Sequence, residues 1–535
     1  MKIFKLIGKL PYTVSEYKTK FKLGDLTEGR NLYKNHIIFK DEGLIKVFNR
    51  ICDHNRGRIC DYKGKLVCPM HNWEFNPETS SYSNIQLIKK EEEFEIVGDD
   101  LVTISKKLIP SLPKSISSKE IKISFISHAC LIIETEDFSF ATDPWIIGFA
   151  FASGWWLTNK PVKDWEEKLN SVDFIYISHN HPDHLNKFTL SKIRNDMTFV
   201  IPPYKSKSVE ILLNKYGFKN LSLLDFDTHY KLSDSGLNFS IFKSGDFRDD
   251  SGFYFTYGNF SMLSTVDSNN LNFFRFPVDI TLIASSFAGG ASGYPLCFEN
   301  LSELKKVKIL NRNKLVGKST VKEIVSLTKA AYFLPYAGFF TEKAKRDIYI
   351  KKNNVKNSIC DFEEIYHEKL LNIWNNDQFV FKSNKLTSKS NLERQNSHDP
   401  VEEFFEDIFK NVIVSDSYLE KYFLKSSFKD MLKIYLQLTD DSFSKILKMI
   451  SVDFSNEKPI VSFKSFDWDK EKSRKNAIKS NRKLLIKVRQ DSFNWVVKNK
   501  YPWEELSIGF QCRIDRDPDV YNVEFWNHFT NVYIN

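Results

Sequence analysis

Cysteine is scarce in this chain, a strong net charge is missing, and no apolar run is long. The 535 residues contain seven cysteines, at 52, 60, 68, 130, 297, 360 and 512. That is too few and too scattered for a disulfide scaffold, so metal ligands or buried thiols are the expected uses. No stretch approaches the roughly 18 uninterrupted apolar residues of a membrane span. The longest candidate, Ile146 to Leu157, is interrupted by Gly148, Ser153 and Gly154. The first residues have a basic start but no sustained apolar region or cleavage site, so a soluble, cytoplasmic protein is expected. Lys and Arg number 77 against 68 Asp and Glu, giving +9. Over this length the bias is mild: weak evidence for nucleic acid, and compatible with a small anionic substrate or an acidic redox partner. A hydrophobic fraction of 42% excludes wholesale disorder. Aromatics reach 15%, with 46 Phe, which suits strand-rich cores and ring-lined pockets.

Length alone argues for about three folded units. Residues 1–105 alternate short β-type runs such as His36-Ile-Ile-Phe-Lys and Gly43-Leu-Ile-Lys-Val-Phe-Asn with turns, predicting a small all-β domain. A Pro- and Ser-rich stretch from Leu108 to Lys119 reads as a linker. From Ile121 onward strands recur between helical segments, including Lys205–Tyr216 and Leu301–Leu315, predicting a layered α+β domain. Asn375 to Pro400 reads as a polar loop. Val401–Ile450 reads as helical from the spacing of Phe404, Phe405, Ile408 and Val412. Residues 480–530 hold a further helix and a dense terminal stretch. The expectation is an α+β multidomain chain: an all-β domain over 1–107, an αββα domain over 119–375, and a mostly helical C-terminal region over 400–535 packed on it.

Two groups of residues carry chemistry. The first is Cys52-Asp-His54, thirteen residues, then Cys68-Pro-Met-His71. Two Cys-His pairs can close around one inorganic centre. Four S₂N₂ ligands suit a tetrahedral zinc. Alternatively the thiolates bind one iron and the imidazoles the other in a [2Fe–2S] cluster, which raises the reduction potential. The spacing resembles the Rieske motif, and His71-Asn-Trp-Glu-Phe-Asn-Pro-Glu-Thr continues in the same manner. The spacer is a little short for that family, and Cys60 within it reads as a packing residue.

The second group is Phe174-Ile-Tyr-Ile-Ser-His179-Asn-His181-Pro-Asp183-His184, an apolar strand running into a ligand-rich loop. His179 and His181 are two apart, so an extended backbone points both to one side. The turn at Pro182 then aims Asp183 and His184 at an adjacent position, so one element serves two metal ions. The order resembles the His-x-His-x-Asp-His signature of the metallo-β-lactamase fold. That resemblance implies metal ligation by His179, His181, Asp183 and His184, a bridging carboxylate at Asp267, and an orienting carboxylate at Asp143. It also implies a further ligand at Asp246, with Asp249 and Asp250 as rivals. An Asp in place of the usual histidine favours iron over zinc. The fold's last histidine is missing, its place falling at Ala337. Asp183 and His128 are the candidate catalytic groups, with a hydrogen-bonded core histidine as the other reading of His128.

A one-electron carrier has no task in hydrolysis, so its pairing with an oxygen-rich metal site suggests reductive activation of O₂ and hydroxylation of a C–H bond. Several blocks then resemble the CMP-N-acetylneuraminate hydroxylase family: Asp143-Pro-Trp-Ile-Ile-Gly-Phe-Ala-Phe-Ala-Ser-Gly-Trp-Trp-Leu157, Phe287-Ala-Gly-Gly-Ala-Ser-Gly-Tyr-Pro295, Pro335-Tyr-Ala-Gly-Phe-Phe340, and Ile508 to Tyr521. The resemblance implies conversion of the N-acetyl group of a CMP-linked sialic acid to N-glycolyl. The cofactors would be a Rieske cluster at Cys52, His54, Cys68 and His71 and non-haem iron, two Fe, with O₂ as oxidant. Electrons would come from NADH through a reductase and a cytochrome b5-like or ferredoxin-like carrier. Candidate substrate contacts are Gly289, Gly290, Ser292 and Tyr294, a Gly-rich turn able to present backbone N–H groups, and Arg513 and Arg516 for a carboxylate or phosphate. Trp155 and Trp156 are read as pocket lining or core. Competing expectations are a hydroxylase of another nucleotide sugar or small molecule, and a hydrolase with a vestigial cluster.

Overall fold

Two sheets face each other across an apolar core in the middle of the chain, in a computed structural model. It describes all residues except 1–2, 34, 54–57, 69–72, 84, 118, 234, 246–247, 269, 375, 393–404, 474–481 and 532–535. The first sheet runs Phe4–Lys9, Thr228–Leu232, Asn238–Lys243, Ser251–Tyr257, Phe260–Ser264, Leu282–Ser286 and Tyr332–Tyr336. The second runs Leu221–Leu223, Phe199–Ile201, Phe174–Tyr176, Ser139–Thr142, Cys130–Glu134, Glu120–Ser127, Gln378–Lys382 and Lys385–Ser390. Between them Ile123, Phe125, Leu131, Phe140 and Phe174 of one sheet meet Phe239, Ile241, Phe253 and Phe255 of the other, all at most 1% exposed. Helices cover the outer faces. Trp165–Ser171 and Ser208–Lys215 pack through Leu169, Val209, Leu212 and Leu213 with Ile175 and Ile177. Glu303–Thr328 packs through Val321, Ile324 and Val325 with the residues of the inter-sheet core. This is the expected αββα arrangement.

The strands that matter for chemistry are parallel: Ser139–Thr142 with Phe174–Tyr176 in one sheet, and Phe260–Ser264 with Leu282–Ser286 and Tyr332–Tyr336 in the other. Their carboxyl ends lead into Asp143, the His179–His184 loop, Asp267, the 287–294 turn and Ala337. Ligand sites of α/β sheets form at those ends.

The N-terminal region is all-β. Its largest sheet, Ile85–Ile88 to Cys60–Tyr62, encloses a core of Ile37, Phe48, Cys52, Leu66, Cys68, Trp73, Phe75 and Tyr82. Phe4–Lys9, however, pairs antiparallel with Thr228–Leu232 of the central sheet. Asn375–Pro400, expected as a loop, contains the hairpin Gln378–Lys382/Lys385–Ser390, which extends that domain's second sheet. It is polar because its outer strand is an exposed edge, where charged residues prevent further pairing.

The C-terminal region holds the helices Asp416–Lys425, Trp468–Ser473, Gln490–Asn499, Glu504–Ile508 and Val523–Asn531. They surround a five-stranded sheet that the helical spacing concealed: Ile460–Ser462, Ile446–Asp453, Leu432–Thr439, Arg482–Arg489 and Cys512–Asp517. Within Val401–Ile450, therefore, 432–439 and 446–450 are strand rather than helix. A bridge between Phe298 and Ile514 and a 2.7 Å hydrogen bond from Ile514 N to Cys297 O fasten this sheet to the central domain. Among the described residues no helix is long and apolar enough to cross a membrane.

Candidate metal centre and cavity

The buried strand Phe174–Tyr176 delivers the chain to Ser178, whose N–H donates to Asp143 Oδ1 at 2.7 Å. Asp143 is fully buried, and its second oxygen lies 3.2 Å from His184 Nδ1. One carboxylate thus holds both ends of the histidine loop and leaves His184 Nε2 facing inward. That nitrogen lies 3.4 Å from Asp183 Oδ2 and 3.3 Å from Asp267 Oδ2. His179 meets Ser178 Oγ at 2.9 Å and Asp250 Oδ1 at 3.5 Å through Nδ1. Its Nε2 faces His181 Nδ1 at 2.9 Å. His181 in turn meets a Glu504 oxygen through Nε2, at 2.8 Å. Each imidazole has one nitrogen fixed by an outer partner and the other turned inward, which sets the tautomer for metal ligation.

His128 differs. The N–H of Phe339 donates to its Nδ1 at 3.2 Å, which leaves Nε2 turned toward Asp183 Oδ2, 3.3 Å away. That nitrogen belongs with Asp183 and His184 to one of the groups able to hold a cation. Ala337, whose N–H donates to the His128 carbonyl at 2.8 Å, occupies the wall beside it.

Two overlapping groups, His128–Asp183–His184 and His179–His184–Asp267, have ligand atoms within 4.8 Å of one another. Burial disfavours charge on His184, but Asp183 and Asp267 outweigh it and push the imidazole well above its usual range. Burial likewise acts against the Asp183 carboxylate, and His184 and His128 reverse it, holding the group well below the usual range. His179, buried beside two other imidazoles, is held well below the normal histidine range. Among the described residues Asp183 Oδ1 and Asp267 Oδ1 are buried without a hydrogen-bond partner. Leaving a buried acceptor atom without a partner costs about 1–3 kcal/mol. The donor set, imidazole nitrogens with carboxylate oxygens, therefore fits a hard or borderline divalent cation such as iron.

The site opens into a cavity of about 420 Å³. His181, Asp183 and Asp267 lie on its wall, together with Gly289, Gly290, Ser292, Tyr294 and Arg516. Gly289 and Gly290 adopt φ of +66° and +72°, and a Cβ on Gly290 would come within 2.8 Å of Lys356. Arg516 is tethered by Asp519 at 2.7 Å, with both on the wall. Arg513 is not brought to the cavity. Strand alternation puts it on the opposite face from Ile514 and Arg516, where its guanidinium lies 4.2 Å from the Phe443 ring. Trp155 lines the cavity, stacked on Phe340 at 3.6 Å, while Trp156 is core, donating to Ser153 O.

One wall residue comes from the N-terminal domain. Trp73 is 3% exposed, packs with Cys52 and Cys68, and accepts at its carbonyl a 2.8 Å bond from Cys68 N. The same side chain reaches the cavity that holds His181 and Asp267. Cys52 and Cys68 are both buried in one small core, as joint ligation requires. His54, His71 and Asp246 lie outside the described residues. Of the rivals to Asp246, Asp250 is buried against His179, whereas Asp249 accepts a bond from Ser206.

Sequence reasoning missed Glu504 and Trp73. Glu504 has no local signature, since its partner is 323 positions away. Trp73 was on view as part of the extended Rieske-like run, but only the fold brings it to the second site.

Two family models match parts of the chain. The Rieske [2Fe-2S] domain model matches residues 12–97, and the Beta-lactamase superfamily domain model matches residues 122–258. Along nearly its full length the chain is similar to proteins named "Cytidine monophosphate-N-acetylneuraminic acid hydroxylase". The protein of Pongo pygmaeus is 29% identical over 561 residues, covering 95% of this chain and 92% of the relative. That of Cricetulus griseus is 29% identical, covering 94% and 96%. The Danio rerio protein is 28% identical, covering 94% and 91%.

Proposed function

We propose that this chain, which matches the cytidine monophosphate-N-acetylneuraminic acid hydroxylase family by homology, is an iron-dependent monooxygenase acting on the N-acetyl group of a CMP-linked sialic acid. The balanced reaction is R–CO–CH₃ + O₂ + 2e⁻ + 2H⁺ giving R–CO–CH₂OH + H₂O. The observation that carries this reading is the shared cavity. Trp73, packed against Cys52 and Cys68, lines the same space as His181, Asp183 and Asp267. A one-electron centre abutting a metal centre within one chain is what reductive O₂ chemistry needs and what hydrolysis does not use.

His179, His181, Asp183, His184, Asp267 and Asp246 would hold the iron, which would supply O₂ activation, and Cys52, His54, Cys68 and His71 would hold a [2Fe–2S] cluster, which would supply electrons. The chain's other residues orient and bind. Asp143, Asp250 and Glu504 orient the histidine rings, and His128 lies beside Asp183, 3.3 Å away. Gly289 and Gly290 leave the middle of the 287–294 turn without side chains, so backbone N–H groups there meet the phosphate or sugar, and Arg516 pairs with its phosphate or carboxylate. Trp155 and Phe340 give the wall an apolar face. NADH provides the electrons through a reductase and a cytochrome b5-like or ferredoxin-like carrier.

Metal analysis with turnover assays tests this. The expected result is iron at the His179–His184 site, two per chain beyond the cluster, with O₂ and reductant consumed together. Zinc occupancy with turnover that needs no reductant would mean a hydrolase.

A further inference from the structure

A lysine is buried directly beneath the Cys52 loop. Lys89 is 1% exposed, and its ammonium donates to Ile51 O at 2.6 Å and to Asp53 Oδ2 at 3.1 Å. These partners are the residues immediately before and after Cys52. Tyr82 completes the arrangement: its hydroxyl donates to the same Asp53 oxygen at 2.7 Å and accepts from Asp53 N at 3.2 Å. The tyrosine ring packs in the core that contains Cys52, Cys68 and Trp73.

Desolvating an ammonium costs several kcal/mol, and a well-packed apolar side chain in its place is often neutral or stabilising. Stability alone therefore gives little reason for a lysine here. A fixed positive charge at a redox centre does: cluster potential depends on net charge, hydrogen bonding and exposure. Low local dielectric lengthens the reach of that charge. Asp53 opposes it, but its side chain is 36% exposed and partly screened by water, whereas Lys89 is screened hardly at all.

We propose that Lys89 and Asp53 form a charge pair that sets the reduction potential of the cluster held at Cys52 and Cys68, with Lys89 raising it and Asp53 lowering it. This rests on the Rieske reading of the N-terminal domain. Lys89 is thus a potential-setting residue that acts on the electron carrier and touches neither substrate nor O₂.

The test is potentiometric titration of the full-length protein, following the cluster by absorption and by electron paramagnetic resonance. Lys89→Met should move the potential down, Asp53→Asn should move it up, and Lys89→Arg should leave it close to the parent value. Opposite signs from the two charge removals are the signature, because loosened packing or added water would move both variants the same way. Should Lys89→Met not fold, Asp53→Asn against Lys89→Arg carries the same decision. An intact cluster whose potential ignores these charges, or shifts alike in both, overturns the proposal alone. A parent protein that takes up no Rieske-type cluster overturns the reading beneath it as well.

Discussion

Nε2 of His181 and a carboxylate oxygen of Glu504 lie 2.8 Å apart across 323 positions of sequence. The histidine stands on the loop after a central strand, and the glutamate opens the short helix Glu504–Ile508. The candidate metal site is thereby lined jointly by the central domain and the C-terminal region. Glu504→Ala frees the His181 ring, and loss of such an outer partner typically weakens metal affinity about 10–100-fold. Competition with a chelator, read by elemental analysis, measures it. Unchanged affinity would mean that His181 is oriented by other contacts.

The joint between these regions is a contact of bare backbone. A Cβ at Gly154 would lie 2.1 Å from Gly509 O, and one at Gly509 would lie 2.0 Å from Phe151 O. Trp155 Nε1 donates across the same seam to Ile508 O at 3.1 Å. Gly509→Ala is expected to cost about 1–3 kcal/mol, the usual penalty of overpacking. Gly8→Ala, where a Cβ meets nothing within 4 Å, serves as the control and should stay within about 0.5 kcal/mol. Urea unfolding compares the two.

Glu505, the next residue, is buried with Ala152 N donating to it at 2.7 Å, and burial pushes its carboxyl up to about 7 from 4.5. The folded protein then holds a proton that the unfolded chain releases. Its contribution is fully present below pH 4.5 and is lost as pH rises through about 7. Glu505→Gln keeps the acceptor and removes the titration. Stability should fall less between pH 5 and 8 in that variant, the difference reaching at most about 3 kcal/mol. Parallel unfolding curves across that range would contradict the assignment.

Trp73 packs with Cys52 and Cys68 and lines the cavity beside His181 and Asp267. Trp73→Phe keeps an aromatic ring in the core with Cys52, Cys68 and Tyr82. It should leave cluster absorption and chemical reduction intact while slowing single-turnover reoxidation of the cluster by O₂ in the presence of substrate. Rapid-mixing absorption follows this directly. An unchanged rate would route electrons past the tryptophan.

What sequence could carry was local. The run from Phe174 to His184 states its own strand and its own candidate ligands, and Asp143 and Asp267 come from the resemblance to the metallo-β-lactamase fold. Glu504, Asp250 and Trp73 acquire meaning only from tertiary contacts. The C-terminal sheet was partly legible: Leu432, Ile434, Leu436 and Leu438 alternate along Leu432–Thr439 and are all buried. The helical spacing of Phe405, Ile408 and Val412 just upstream masked that period. Of the hairpin at the sheet edge, Lys385–Ser390 was concealed by its exposure and polarity, whereas Gln378–Lys382 carries a short alternation, Phe379 and Phe381, that is buried. Arg513 and Arg516 look equivalent in sequence, and strand alternation separates them.

Coupling of a Rieske cluster to an iron site within one chain, so that oxygen enters a nucleotide sugar, is open to direct measurement. Mass analysis of CMP-N-acetylneuraminate after incubation with the protein, NADH, a reductase and carrier, and isotopically labelled O₂ tests it most directly. The account predicts a product heavier by one oxygen atom, with that atom drawn from O₂ and its formation abolished when the reductant is withheld. A substrate unchanged in mass, or cleaved at equal rate without reductant, would contradict it.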